Sequence, residues 1–225
     1  MHKLFNYESK VMQAMLNLGY MILLNFLYLA CSIPVVTQGA AQAGLYSALR
    51  HMGDEEKETS CLPEFFKGMK TGFKKITLIY GLSVIPMLII AGGFILSLLL
   101  DGAGLDMPVW LSGAAVLLFA AWQTMLVVFH ASFACEAKEL LRNSFRAAMA
   151  FPLQSLLSGI LLWLPAILLL MYPTTFVMMI PLWLCLYYSL AFEIILYLMK
   201  KPLQKMKDAM FPEPEEKTKA IEEAE

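Results

Sequence analysis

The sequence predicts an all-α, polytopic transmembrane helical bundle of about five spans, with amphipathic helices at its cytoplasmic face. Three observations lead there. Of 225 residues, 59% are hydrophobic and 16% charged, whereas a soluble domain carries about a quarter charged residues. Residues 11–49, 76–100, 107–135 and 147–192 contain no Asp, Glu, Lys or Arg. Basic residues gather in 37–75, in 136–151 and from Lys200 onward. Soluble helices need a polar face, and runs this long leave none. The same composition excludes a disordered chain, a nucleic-acid binder and a disulfide-rich secreted domain.

A bilayer core of roughly 30 Å takes about 20 apolar residues as a helix. The first span is expected over Leu16–Val36, the second over Ile76–Leu100 and the third over Val109–Cys135. The fourth uncharged run is 46 residues long, which suits two helices. Its break is expected at Tyr172-Pro173-Thr174-Thr175, because proline cannot continue a helix and disfavours the α region before it. That leaves Pro152–Met171 and Phe176–Met199.

Lys and Arg accumulate in cytoplasmic loops. Five spans place 15 of the 17 basic residues on one side, with the N-terminus outside and the C-terminus inside. Ile33–Leu49 is also uncharged, and Ala40, Gly44 and Ala48 set small residues four apart, a spacing that permits close packing. A sixth span here is set aside, since it is expected to move Lys57 to Lys75 opposite the 136–151 loop. Residues 33–52 are read as a helix or re-entrant piece packed at the cytoplasmic face. Met1–Lys10 is only weakly basic and the first apolar run is span-length, so no cleavable signal is expected.

Two domains follow: a membrane-embedded helical domain over 1–200 and a charged, disordered cytoplasmic tail over 201–225. The tail's last 14 residues hold six Glu and two Pro. Pro63–Lys75 spaces Phe65, Met69 and Phe73 every four residues, with Lys67, Lys70 and Lys74 on another face. This pattern predicts a basic amphipathic helix on the inner membrane surface. Leu140–Phe151, with Arg142 and Arg146 four apart, is a second such candidate.

Chemistry-bearing motifs are absent from the sequence. Cys31, Cys61, Cys135 and Cys185 are far apart, as are His2, His51 and His130. There is no C-x-x-C, H-E-x-x-H, phosphate-binding glycine loop or nucleophile elbow. No catalytic residue, cofactor or metal is therefore expected, and no enzymatic activity. The site candidates are intramembrane polar residues, because hydrocarbon makes them costly. Asn25 lies in the middle of the first span. Gln123 and His130 are seven apart, so they share a face of the third. Glu193 is the acidic residue inside an expected span. It lies at about the depth of His130, which suggests a carboxylate–imidazole pair; the rival reading has Glu193 reaching the inner interface.

The stretch Asn25–Tyr46 reads NFLYLACSIPVVTQGAAQAGLY. It resembles the signature of the YesL family of bacterial integral membrane proteins. The family's Asn, Pro-x-x-Thr-x-Gly-Ala-Ala run and Leu-Tyr pair fall on Asn25, on Pro34, Thr37, Gly39, Ala40 and Ala41, and on Leu45 and Tyr46. Glu64–Leu78 and Leu140–Leu157 are similar to its later segments. The resemblance implies the bacterial cytoplasmic membrane and an accessory role beside carbohydrate uptake; it supplies no catalytic or ligand residues. Read physically, Pro34 ends or kinks the first helix, Thr37 caps the next, and Ala40, Ala41 and Gly44 let it pack closely.

The expected function is a non-enzymatic accessory or regulatory component associated with carbohydrate uptake. Its expected partners are the lipid bilayer, a carbohydrate transporter subunit and a second copy of itself, with no nucleic acid. The alternative is a small-solute transporter acting alone or as a homodimer, supported by Pro86, Pro165 and Pro181 within the spans.

Overall fold

The computed structural model describes residues 10–52, 61–100 and 107–210. Among these the chain is helical throughout its regular elements: α1 (Lys10–Ser32), α2 (Gln38–Met52), α3 (Cys61–Lys70), α4 (Phe73–Leu100), α5 (Met107–Ser132), α6 (Ala137–Ala150), α7 (Pro152–Met171) and the short α8 (Pro173–Met178). The last helix, α9, has three consecutive parts: a turn at Ile180–Leu182, a π-helical segment at Trp183–Tyr187 and Tyr188–Met210.

Among the described residues, five helices are long and apolar enough to cross a membrane: Met15–Ser32, Phe73–Leu96, Trp110–Ser132, Pro152–Leu169 and Ile180–Asp208. Their outward faces are apolar. On α4, Leu78, Leu82, Ile85, Ile89 and Leu96 recur at helical spacing and are all more than half exposed. In water this stripe would be an association surface; in hydrocarbon it is an ordinary lipid face. The break at Pro173 falls where expected, although the chain turns through α8 before α9 begins.

The helices form three successive hairpins. In α4–α5, Gln123 Nε2 donates to Ser83 Oγ and Lys75 Nζ to the Cys135 carbonyl, so the two helices run antiparallel. In α7–α9, Leu161, Leu164 and Leu168 pack on the aromatic cluster of Trp183 and Tyr187. In α1–α2 the chain reverses through a 3₁₀ turn at Val35–Thr37. The two ends of this last hairpin, Asn17 and Met21 on α1 and Leu49, Arg50 and Met52 on α2, line one cavity. All three hairpins leave from and return to one end of the bundle, here called the basic end. Helices α3 and α6 join them there.

The first hairpin changes the expected course of the chain. Ser189 Oγ donates to the Met21 carbonyl, Asn25 meets Trp183–Ser189, and Asn17 shares a cavity with Lys200 and Lys207. Helix α1 is therefore antiparallel to α9, and its start lies at the same end as the end of α9. The course expected for the first span, starting at the end opposite the close of the last, is reversed, and the physical reason is α2. Ten of its 15 residues are buried, from Gly39 to Leu49, and it carries the chain back inside the bundle. At 1.5 Å per residue α2 is about 22 Å long, short of a ~30 Å hydrocarbon core. It is a buried return leg, the re-entrant one of the two readings of residues 33–52. The charge pattern does not oppose it. Hairpin α4–α5 keeps Lys67–Lys75 and the 136–151 segment at one end whatever α2 does; only the start of the chain moves.

Two boundaries also differ from expectation. The helix expected over Pro63–Lys75 breaks at Gly72, whose φ of 63° is the left-handed conformation that favours glycine. Helix α9 continues through Pro202 to Met210, so the stretch expected as a tail from 201 begins as helix. The rest of that stretch, residues 211–225, lies outside the described residues.

Reporter fusions at the N-terminus, at residue 56 and at residue 225 should read the same side of the membrane, and fusions at 104 and 172 the other. A split between the N- and C-terminal reporters would overturn the α1–α9 packing.

Candidate functional site

The expected polar residues sit on different helices and do different things. Asn25 is fully buried and its amide is completely used. Nδ2 donates to the carbonyls of Trp183 (3.0 Å) and Leu184 (2.6 Å). Oδ1 accepts from the N–H groups of Tyr188 (2.9 Å) and Ser189 (3.2 Å). These four groups border the π-helical segment. A π turn shifts hydrogen bonding from i−4 to i−5 and so disturbs the regular pairing at its ends. In hydrocarbon no water can serve the buried amide itself. All of the Asn25 amide's hydrogen-bonding atoms find backbone partners at this segment and the turn after it.

Gln123, also fully buried, donates to Ser83 Oγ at 3.0 Å, and Ser83 donates to the Tyr80 carbonyl. Gln42 Nε2 donates to Tyr80 Oη at 3.3 Å. A polar seam thus joins α2, α4 and α5. His130 faces the same side as Gln123, as its spacing implied: Nε2 lies 3.0 Å from the Thr71 carbonyl, and the ring packs over Gly72. A Cβ at Gly72 would approach His130 Cε1 to 2.8 Å. His130 and Lys75, which donates to the Cys135 carbonyl, therefore hold the α3–α4 break against the end of α5.

The expected pair of His130 and Glu193 is not formed. His130 points to the α3–α4 break, while Glu193 is exposed and lines a different cavity. Matching depth brought them to one level; helix rotation set them on different faces.

The junction motif is a packing device. Ala40 and Ala41 are fully buried. A Cβ on Gly39 would come within 2.6 Å of Tyr80 Cβ, and one on Gly44 within 2.7 Å of the Phe65 carbonyl oxygen. From the other side, a Cβ on Gly68 of α3 would meet Ser47 at 2.6 Å. Small residues thus let α2 lie in near backbone contact with α3 and α4. Pro34 lies in the turn, where its carbonyl accepts from Thr37 N–H at 2.9 Å. Thr37 works differently from the expectation. Its hydroxyl hydrogen-bonds to the carbonyls of Cys31 (2.6 Å) and Pro34 (2.8 Å), closing the end of α1 rather than capping α2.

A cavity of about 670 Å³ opens at the basic end between α1, α2, α9 and the last turn of α5. Glu193, Lys200 and Lys207, seven apart on α9, face Arg50 from α2 across it. Among the described residues none of the four makes an ion pair; Lys67–Glu64 at 3.0 Å does. Tyr46 Oη accepts from Ser132 Oγ at 3.3 Å in the same wall. Sequence reading missed Arg50, Lys200 and Lys207 as site residues because each looked like interface anchoring. The heptad spacing of Glu193, Lys200 and Lys207 was the available signal.

All four cysteines are free. Burial pushes the Cys61 and Cys135 thiols up, away from the thiolate. Among the described residues no group of three or more His, Cys, Asp or Glu could hold a metal ion.

Residues 21–96 match a family model described as a protein of unknown function, DUF624. The match runs from within α1 to near the end of α4 and includes the whole α1–α2 reversal. No curated protein and no solved structure matches the chain.

Two substitutions test this account. Asn25→Leu should lower stability by about 2 kcal/mol, at roughly 0.6 kcal/mol for each of four intramembrane hydrogen bonds. Denaturation in mixed micelles measures it, with the exposed Asn17→Leu as control; equal losses would remove the clasp. Gly44→Ala should cost about 1–3 kcal/mol through overpacking, whereas Gly92→Ala, with nothing within 4 Å of its Cβ, should cost little. Melting temperatures of the detergent-solubilised proteins compare them.

Proposed function

We propose that the protein is a multi-pass component of the bacterial cytoplasmic membrane, non-enzymatic, with an accessory or regulatory role in carbohydrate uptake. Its basic end faces the cytoplasm, with both termini on that side. Every one of the 17 basic residues then belongs to a segment that starts or finishes inside, in keeping with the charge rule.

One observation carries the accessory role: the large cavity opens at the basic end, while the buried amides of Asn25, Gln42 and Gln123 donate to neighbouring helices rather than line it. Asn25 is consumed by α9, and Gln42 and Gln123 each donate to a neighbour on α4. A transporter's substrate site lies near the bilayer midplane, whereas this cavity opens at the basic end, where Arg50, Lys200 and Lys207 line it. A one-sided cavity suits a component that receives a ligand or partner from the cytoplasm. The link to carbohydrate uptake rests on the resemblance of Asn25–Tyr46 to the YesL signature.

Gentle extraction from native membranes should co-purify a transporter subunit with the full-length protein. Saturable sugar flux through vesicles containing this chain alone would refute the accessory reading and favour the independent transporter.

A further inference from the structure

We propose that the cavity at the basic end binds a phosphate monoester that also carries hydroxyl groups. The assignment rests on the cavity's own chemistry and does not require a partner transporter.

Charge comes first. Among the described residues, Arg50, Lys200 and Lys207 line the cavity against a single carboxylate, Glu193, and none of them is ion-paired. The net charge of the four is +2. A phosphate monoester carries about −1.5 to −2 at neutral pH, a diester only −1, so the monoester neutralises the cavity. The guanidinium of Arg50 can grip two phosphate oxygens at once, and a lysine adds a point charge.

Geometry orients the ligand. Glu193, Lys200 and Lys207 lie on one face of α9, about 10 Å apart at 1.5 Å per residue. Glu193 is the innermost and the lysines are toward the basic end. The carboxylate repels phosphate and accepts hydrogen bonds from hydroxyls. The ligand therefore enters hydroxyl-end first, with its phosphate between Arg50 and the two lysines. Tyr46 and Ser132, already bonded to each other, supply further polar atoms in the wall. The volume of about 670 Å³ exceeds what a phosphate alone needs and suits a small organic ester. The same chemistry could come from a soluble ester or from a lipid headgroup ending in a monoester.

Purified full-length protein in zwitterionic-lipid nanodiscs is titrated calorimetrically with glycerol 3-phosphate, inorganic phosphate and glycerol. Separately, it is placed in nanodiscs containing phosphatidylinositol 4-phosphate, whose headgroup carries both hydroxyls and a monoester. The expected result is saturable binding of glycerol 3-phosphate in preference to the other two. Arg50→Gln and Lys200→Gln should each weaken binding at least about tenfold, as loss of a charge-assisted bond implies. Glu193→Gln should narrow the preference for the ester over inorganic phosphate. If phosphatidylinositol 4-phosphate is retained on purification and lost in Lys200→Gln while the soluble ester does not bind, the monoester site stands and its source is lipid. No binding of either form would overturn the proposal. So would binding unchanged in both Arg50→Gln and Lys200→Gln. Lys200 is exposed on α9, so its variant keeps the test valid if Arg50→Gln does not fold.

Discussion

The clasp between Asn25 and the π-helical part of α9 is the constraint on which the architecture depends. One side chain near the middle of α1 satisfies two carbonyls and two N–H groups of a helix about 160 residues away in sequence. In hydrocarbon such groups have no substitute partner. The asparagine is therefore tied to the π turn, without which its fully buried amide would be left unsatisfied. The clasp also fixes the direction of α1 against α9, since Met21 and Ser189 are joined one turn further along. Tyr28 packs on Tyr188 beyond it, ring centroids 4.8 Å apart.

With α1 held antiparallel to α9, the chain must return to the basic end before α3, and α2 performs that return. A helix buried on all sides has no lipid face and no polar face, so its surface must be close-packed against protein. Gly39, Ala40, Ala41 and Gly44 meet this demand by removing bulk where Tyr80 and the Phe65 backbone approach. The family match covers this same reversal. Packing of backbones this close is sensitive to a single methyl group, because a closely packed interior relaxes only partially around added volume.

The return leg also creates the cavity. Arg50 sits at the end of α2, and only the hairpin brings it across from Lys200 and Lys207 on α9. A surface-lying α2 would have left Arg50 as one more interface anchor. The basic lining of the cavity is thus a consequence of the same clasp that orients α1. Structure and proposed ligand class are connected through that one geometric fact.

Hydropathy and charge by themselves determined the five long apolar helices, the break at Pro173, the basic end, and the value of Asn25 as a buried polar group. These are local properties: an uncharged run of 20 or more residues, a proline, a cluster of lysines. The tertiary structure alone decided the direction of α1, the burial of α2, the π turn and the separation of His130 from Glu193. Sequence periodicity places residues at a depth and on a face of their own helix. It does not say how that helix is rotated toward its neighbours. Glu193 and His130 share a depth yet face different cavities, while Arg50 and Lys200 read as separate anchors and face each other. Rotation is set by side-chain contacts between helices distant in sequence, of which the Asn25 amide makes four.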